Sequence, residues 1–252
     1  MVKGLGLFKE HFAAFSEQYV LIGGTACSIL LEEADLEFRA TKDLDIVLCI
    51  EALNADFVKA FWEFVRAGRY AVQQKSTGEK QFYRFKKPED SRYPFMLELF
   101  SRKPDLLSIA DGGELTPIPL DEDVSSLSAI LLNDDYYQFI KSGIVQFDGL
   151  PLIPAEYLIP LKAIAWLDLS QRKLAGEAVD STNINKHKND IFRLFQLVIP
   201  SRNITLPTQI HTDMQRFMQR IEAEPEVNTK QLKIGAKAAD IIAVLKSIYS
   251  LA

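Results

Sequence analysis

Apolar positions along the first part of the chain fall into short blocks or alternate with polar ones, whereas from Ala155 onward they recur at helical spacing. An opening amphipathic helix is predicted around Leu7 to Glu17. The apolar run from Tyr19 to Ile22 follows, ends at Gly23-Gly24 and reads as a buried strand. A helical stretch comes next, from Thr25 as its expected N-cap to Leu31. Asp43 to Ile50 alternates charged and apolar residues at its start and predicts a strand. Asn54 to Gly68 places Phe57, Phe61, Phe64 and Val65 on one helical face closed by a glycine. Strands over Tyr70 to Lys75 and Gln81 to Lys86 are joined through Ser76-Thr77-Gly78-Glu79 as a hairpin. Pro94 to Phe100 is a further apolar strand with one carboxylate, Glu98, in its middle.

The stretch from Lys103 to Asp123 is rich in Pro, Gly and Asp and reads as loop, with short strands following up to Ile153. Helices are then expected over Ala155 to Leu174, over Asn185 to Val198, and after Pro207 and Asn228. The change of pattern near Pro151 to Pro154 sets the expected domain boundary. Residues 1–153 form a mixed domain of the α/β (α+β) class, and residues 154–252 a helical one.

Composition narrows this picture. Of 252 residues, 48% are hydrophobic and 25% charged, which is the balance of a globular chain and excludes wholesale disorder. A net charge of -5 weighs against a dedicated nucleic-acid-binding module. Cys27 and Cys49 sit in apolar runs without metal-ligand spacing and are expected as buried thiols in a reducing compartment. The first residues are too polar for a signal peptide, and no apolar run is long enough to cross a bilayer. The expected location is therefore cytoplasmic, with no membrane partner.

Three features together suggest chemistry: Gly23-Gly24, then Asp43-x-Asp45, then Glu98. Two aspartates separated by one residue on a strand project from the same face, and their repulsion is relieved by a hard divalent cation with oxygen ligands. Glu98, in a strand of Phe, Met and Leu, needs a partner if buried, and a neighbouring strand would bring it beside the aspartates. Phosphoryl transfer uses such carboxylates to hold ions that neutralise the triphosphate. A double glycine at a helix start lets backbone N–H groups approach phosphate closely. Taken singly, these features read as a tight turn, a solvated strand edge and a water-facing glutamate; their order and element types together favour nucleotide chemistry.

At these residues the chain resembles a known family. Leu21-Ile22-Gly23-Gly24-Thr25-Ala26, followed by Arg39-Ala40-Thr41-Lys42-Asp43-Leu44-Asp45-Ile46, is similar to the signature of the AbiEii-type nucleotidyltransferases, toxins of type IV toxin–antitoxin systems within the DNA-polymerase-beta-like superfamily. The resemblance implies a polymerase-beta-like mixed sheet with flanking helices followed by a helical domain. It also implies that Gly23, Gly24 and Thr25 form the phosphate turn, that Asp43 and Asp45 bind magnesium (manganese as the alternative), and that Glu98 stands as the third carboxylate, holding the metal with them or accepting the nucleophile's proton. Leu161-Lys162-Ala163-Ile164-Ala165 and Lys188-Asn189-Asp190 extend it, with Lys162 and Lys188 as phosphate clamps and Asp190 orienting that motif or assisting the chemistry. The implied substrate is an NTP such as ATP or GTP. The acceptor is a hydroxyl on tRNA or other RNA, protein or a small molecule, and the implied partner is a cognate antitoxin protein.

The chain departs from the family in two places. Glu32-Glu33-Ala34-Asp35-Leu36-Glu37 lengthens the gap between Gly24 and Asp43, and Arg193 stands where the family often has a second acidic residue. Arg39 reads equally as an anchor on the phosphate side or as a partner of Glu37. Tyr136 and Tyr137 read as core before base stacking. Lys86, Lys87, Arg92, Arg102 and Lys103 read as ordinary charged surface before an RNA rim. The histidines His11, His187 and His211 lack ligand spacing. The competing functional readings are a catalytically inactive NTP-binding or protein-interaction domain that retains the fold, and a metal-dependent phosphohydrolase.

Overall fold

The computed structural model describes residues 2–72, 82–100, 133–224 and 227–251. Described residues of Met1–Glu32, Glu37–Asp121 and Ile144–Ile153 form one compact unit, and those of Glu33–Leu36, Glu122–Gly143 and Pro154–Ala252 form a second. Among them no helix is long and apolar enough to cross a membrane.

The first unit is built on a mixed sheet with flanking helices. Its strands are β1 (Tyr19–Ile22), β2 (Asp43–Leu48), β3 (Ala71–Val72), β4 (Phe82–Lys86), β5 (Met96–Phe100), β6 (Val145–Phe147) and β7 (Leu150–Leu152), in the order β3-β4-β5-β2-β1-β7-β6. β2 runs antiparallel to β1 and parallel to β5, while β4 is antiparallel to β5. The hairpin turn expected at Ser76 to Glu79 and the loop from Lys103 to Asp123 lie outside the described residues.

Three helices belong to this unit, and each corrects a detail of the sequence reading. α1 (Leu5–His11) is shorter than expected and gives way to a 3-10 turn at Ala13–Phe15. α2 (Gly23–Glu33) begins at the glycine pair, so Thr25 lies in its first turn instead of capping it. α3 (Ala55–Gly68) is capped by Asn54, whose side chain accepts from the Phe57 N–H at 2.8 Å. Gly68 is the last residue of α3, where a Cβ would meet the Tyr70 ring at 2.6 Å, and Arg69 takes the left-handed closing position at φ 50°.

The core of this unit is aromatic. Phe8 and Phe12 from α1 and its C-terminal end, Tyr19 from β1, Phe57, Phe61 and Phe64 from α3, and Phe85 from β4 are all 1% exposed. Phe8 meets Phe64 edge-on at 5.7 Å and Phe61 meets Phe85 at 5.4 Å, the arrangement ring quadrupoles favour. This cluster packs the helices on one face of the sheet, fixing the strands from which Asp45 and Glu98 project.

The second unit is helical over its described residues: α4 (Asp134–Ser142), α5 (Ala155–Leu174), α6 (Ser181–Phe195), α7 (Thr208–Ala223) and α8 (Ala238–Ile248). α6 starts four residues earlier than expected because Asp180 caps it, accepting from the Thr182 N–H at 2.8 Å. α8 starts ten residues after Asn228. Trp166, fully buried, meets Phe217 edge-on at 5.4 Å and is part of what joins α5 to α7. Tyr136 is 2% exposed and donates to Asp213 at 3.1 Å, so it serves the core.

Pro160 lies inside α5 and has no N–H to offer the carbonyl of Glu156 four residues back. The buried Tyr249 hydroxyl donates to that carbonyl at 2.8 Å, supplying the bond the proline removes. Tyr249→Phe is expected to cost about 1–3 kcal/mol, the desolvation penalty of a stranded buried acceptor. A urea midpoint unchanged from the parent would show that the carbonyl has another source of solvation.

Candidate functional site

The candidate site grows from the meeting of β1, α2 and β2. Gly23, at φ 65°, turns the chain from strand into helix with almost no space beside it. A Cβ on it would lie 1.8 Å from Asp45 Oδ2. Glycine is thus required twice, for the left-handed backbone and for the closeness of the carboxylate. Gly24 donates its N–H to Asp45 Oδ2 at 3.2 Å, and the N-terminal dipole of α2 favours negative charge at that place. Thr25 does not cap the helix; its hydroxyl donates to the Asp43 carbonyl at 2.6 Å and ties the start of β2 to α2. The amide of the glycine turn is thus held on the aspartate.

Register carries the site across the sheet. Ile22 on β1 faces Asp45 on β2, Asp45 faces Glu98 on β5, and Glu98 faces Arg84 on β4. In-register neighbours share a face, so Asp45, Glu98 and Arg84 project side by side. Asp43, two residues before Asp45, is on that face as well and is half-buried. Asp45 and Glu98 are each 8% exposed and Arg84 is 6% exposed.

The electrostatics follow from this crowding. Burial, and then the charge of Asp45, push the Glu98 carboxyl up to about 8, against the opposite pull of Arg84. A hydrogen bond shared with Asp45 and the more distant charge of Asp43 act in the same upward direction. Arg84 Nε lies 2.7 Å from Glu98 Oε1, a close ion pair whose Nε–H is not aligned on the carboxylate. Nothing in the local pattern at Phe82 to Lys86 distinguishes Arg84 from a surface residue, because its role depends on pairing with Glu98 fourteen residues later.

Asp43 and Asp45 supply hard oxygen donors on one face, and the buried Glu98 stands in register beside Asp45. That chemistry fits a hard divalent cation. Among the described residues, however, no three acidic, histidine or cysteine groups are gathered to hold a metal ion together. Glu98 is paired with Arg84. The aspartate pair therefore fits such an ion, and the third carboxylate is held by a cation of the protein itself.

Arg39 and Thr41 also border the glycine turn. A Cβ on Gly24 would meet Thr41 Oγ1 at 2.7 Å and Arg39 Nη2 at 3.5 Å. The Arg39 guanidinium also lies over the Phe38 ring at 5.0 Å. Sequence reasoning singled out Arg39 but overlooked Thr41.

The remaining sequence-derived residues lie in the second unit. Lys162 and Asp190 meet there, with Nζ 3.1 Å from Oδ2, and are 5% and 0% exposed. Arg193 Nη1 lies 3.6 Å from the other oxygen, Oδ1, and faces Asp190 as a second cation. Lys188 does not join them; two positions from Asp190 on α6, it pairs with Glu224 at 2.8 Å. His187 is half-buried, and Lys87 and Arg92 are exposed, Arg92 being paired with Asp90 at 2.7 Å.

No family model matches this sequence, and no curated protein matches it. Solved structures that resemble the chain include an antigenic nucleotidyltransferase-like protein from Paracoccidioides brasiliensis, at 16% identity and TM-score 0.43, covering 93% of each chain. Another is the Megavirus polyadenylate synthase, at 13% identity and TM-score 0.42, covering 88% of this chain and 36% of that one. A third is the lincosamide antibiotic adenylyltransferase LnuA with lincomycin bound, at 14% identity and TM-score 0.37, covering 77% of this chain and 96% of that one. Likenesses this loose carry no weight in assigning chemistry, which rests on the residues themselves.

Proposed function

We propose that this chain is a magnesium-dependent nucleotidyltransferase of the polymerase-beta-like kind, moving a nucleoside monophosphate from an NTP to a hydroxyl acceptor and releasing pyrophosphate. One observation carries the reading: a glycine turn at a helix N-terminus is packed directly on Asp45, which stands in register with Glu98 and two residues from Asp43. A tight turn alone needs no carboxylate against it, and a solvated strand edge does not bury two of them side by side.

Each residue has a part in this reading. Asp43 and Asp45 hold the divalent ion, magnesium or manganese. That ion, when bound, neutralises the triphosphate and favours ionisation of the attacking hydroxyl. Gly23 and Gly24 let the backbone approach the phosphates, and Thr25 fixes the start of β2. Glu98, in this reading, accepts the acceptor's proton. Lys162 and Asp190, with Lys188 on the same helix as Asp190, are assigned to the nucleotide by family resemblance alone, as is the role of toxin restrained by an antitoxin. The acceptor class spans RNA or tRNA, protein and small molecules.

The testing experiment incubates the purified chain with each α-labelled NTP, magnesium and total cellular RNA. Label carried to RNA or to the protein itself is the expected result, and it names the nucleotide. Binding of NTP and magnesium without transfer points to an acceptor missing from the mixture. Binding of neither removes the carboxylate argument and favours a catalytically inactive domain. Independently of any acceptor, manganese should raise the thermal midpoint of the parent, by mass action on the folded state alone. The same addition should leave Asp43→Asn/Asp45→Asn unmoved.

A further inference from the structure

Arg84 gives the site a feature that the transfer reading does not require, and the role inferred for it rests on that reading and deepens it. Its guanidinium projects from β4 beside Glu98, at 2.7 Å, with the two side chains 7% and 11% exposed. Glu98 is itself in register with Asp45. The row therefore places three carboxylates, Asp43, Asp45 and Glu98, next to a fixed and permanently charged cation. A positive charge on the sheet beside a cation site opposes binding of a divalent ion, and more strongly where water is scarce. It also holds the carboxylate that would otherwise complete the set of ligands.

We propose that Arg84 is a positioning residue that keeps Glu98 beside Asp45 but out of ion coordination, so that the nucleotide-free protein binds a divalent cation through Asp43 and Asp45 alone and weakly. Holding Glu98 off the ion leaves its carboxylate available to the acceptor hydroxyl. It also makes firm ion binding depend on oxygens that the nucleotide brings with it.

An effect of unusual sign is expected, because deleting this positioning residue should improve ion binding. Manganese is titrated into the full-length chain without nucleotide, and free ion is read by its electron paramagnetic resonance signal. Arg84→Gln should bind manganese about fivefold or more tightly than the parent, since a repelling charge is removed and Glu98 is released. Arg84→Lys should stay close to the parent. Arg84→Gln/Glu98→Gln removes a buried charge and its partner together, so it leaves no orphaned ion and is the variant expected to fold best. It should bind manganese within about threefold of the parent, because the repelling guanidinium and the carboxyl it holds are lost together.

A purely structural role for Arg84 predicts the reverse, with manganese binding weakened or unchanged in Arg84→Gln, and that result overturns the proposal. If Arg84→Gln does not fold, the double variant decides. A loss of about tenfold or more there shows that Glu98 is an ion ligand and equally overturns the proposal. A parent chain that binds manganese and transfers nucleotide while Arg84→Gln fails the test defeats this inference alone. A parent that does neither defeats the transfer reading along with it.

Discussion

Asp45→Asn is expected to lower nucleotide transfer by about a thousandfold or more while leaving the fold standing. The loss is of the size seen when a single group stabilising transition-state charge is removed. Asparagine keeps an oxygen able to accept the Gly24 N–H, now held at 3.2 Å by Asp45 Oδ2, so the glycine turn retains its anchor. It also removes the charge that, after burial, does most to push the Glu98 carboxyl up. In metal-free buffer the variant should consequently unfold at the same temperature as the parent or higher. Transfer within tenfold of the parent would remove Asp45 from the chemistry. A clear drop in the thermal midpoint would show instead that the carboxylate serves the fold.

Gly23→Ala is expected to abolish transfer and to destabilise the first unit by about 2 kcal/mol or more. The left-handed backbone alone costs an L-residue about 1–2 kcal/mol. The larger effect is steric: at φ 65° the new methyl would stand 1.8 Å from Asp45 Oδ2 and 2.6 Å from its carboxyl carbon. Either Asp45 rotates away or the β1–α2 turn opens, and both separate the glycine turn from the carboxylate. Gly6→Ala is the matched control, because that glycine has nothing within 4 Å of the added carbon. Equal denaturant midpoints for the two variants would show that the turn at Gly23 yields without cost.

The two experiments separate chemistry from architecture. One removes a charge and keeps the shape; the other keeps every charge and forces the shape to change. Loss of activity in both, with loss of stability in Gly23→Ala alone, is the pattern expected if the glycine turn exists to hold Asp45 where it is.

Much of the site was legible in the chain before any pairing was known. Strand β1 ended where the glycine pair began, Asp43 and Asp45 shared a face, and Glu98 lay inside an apolar strand, where it needed a partner. These are local properties, set by a period of two, a double glycine and the cost of a buried charge, and each is written in a few consecutive residues. Helix ends were less legible, because caps set them. Asp180 started α6 four residues early, and Gly68 stayed in α3 while Arg69 took the left-handed closing position. Thr25 showed the same limit: its type suited an N-cap, but the turn geometry of Gly23 started the helix earlier and sent its hydroxyl to Asp43 instead.

The sequence by itself therefore determined the mixed strand-and-helix composition, the helical second half and which residues stand as candidates for the proposed chemistry. The tertiary structure alone decided that Glu98 stands opposite Asp45, that Arg84 faces Glu98, that Lys188 turns to Glu224 while Lys162 meets Asp190, and that Tyr249 repairs the gap left by Pro160. Strand order and register are chosen by the packing of the whole sheet, and a one-residue slip would send Glu98 to the opposite face. Local periodicity carries no record of which distant strand or helix will lie alongside, so partners separated by fourteen to ninety-three residues become visible only once the chain has folded.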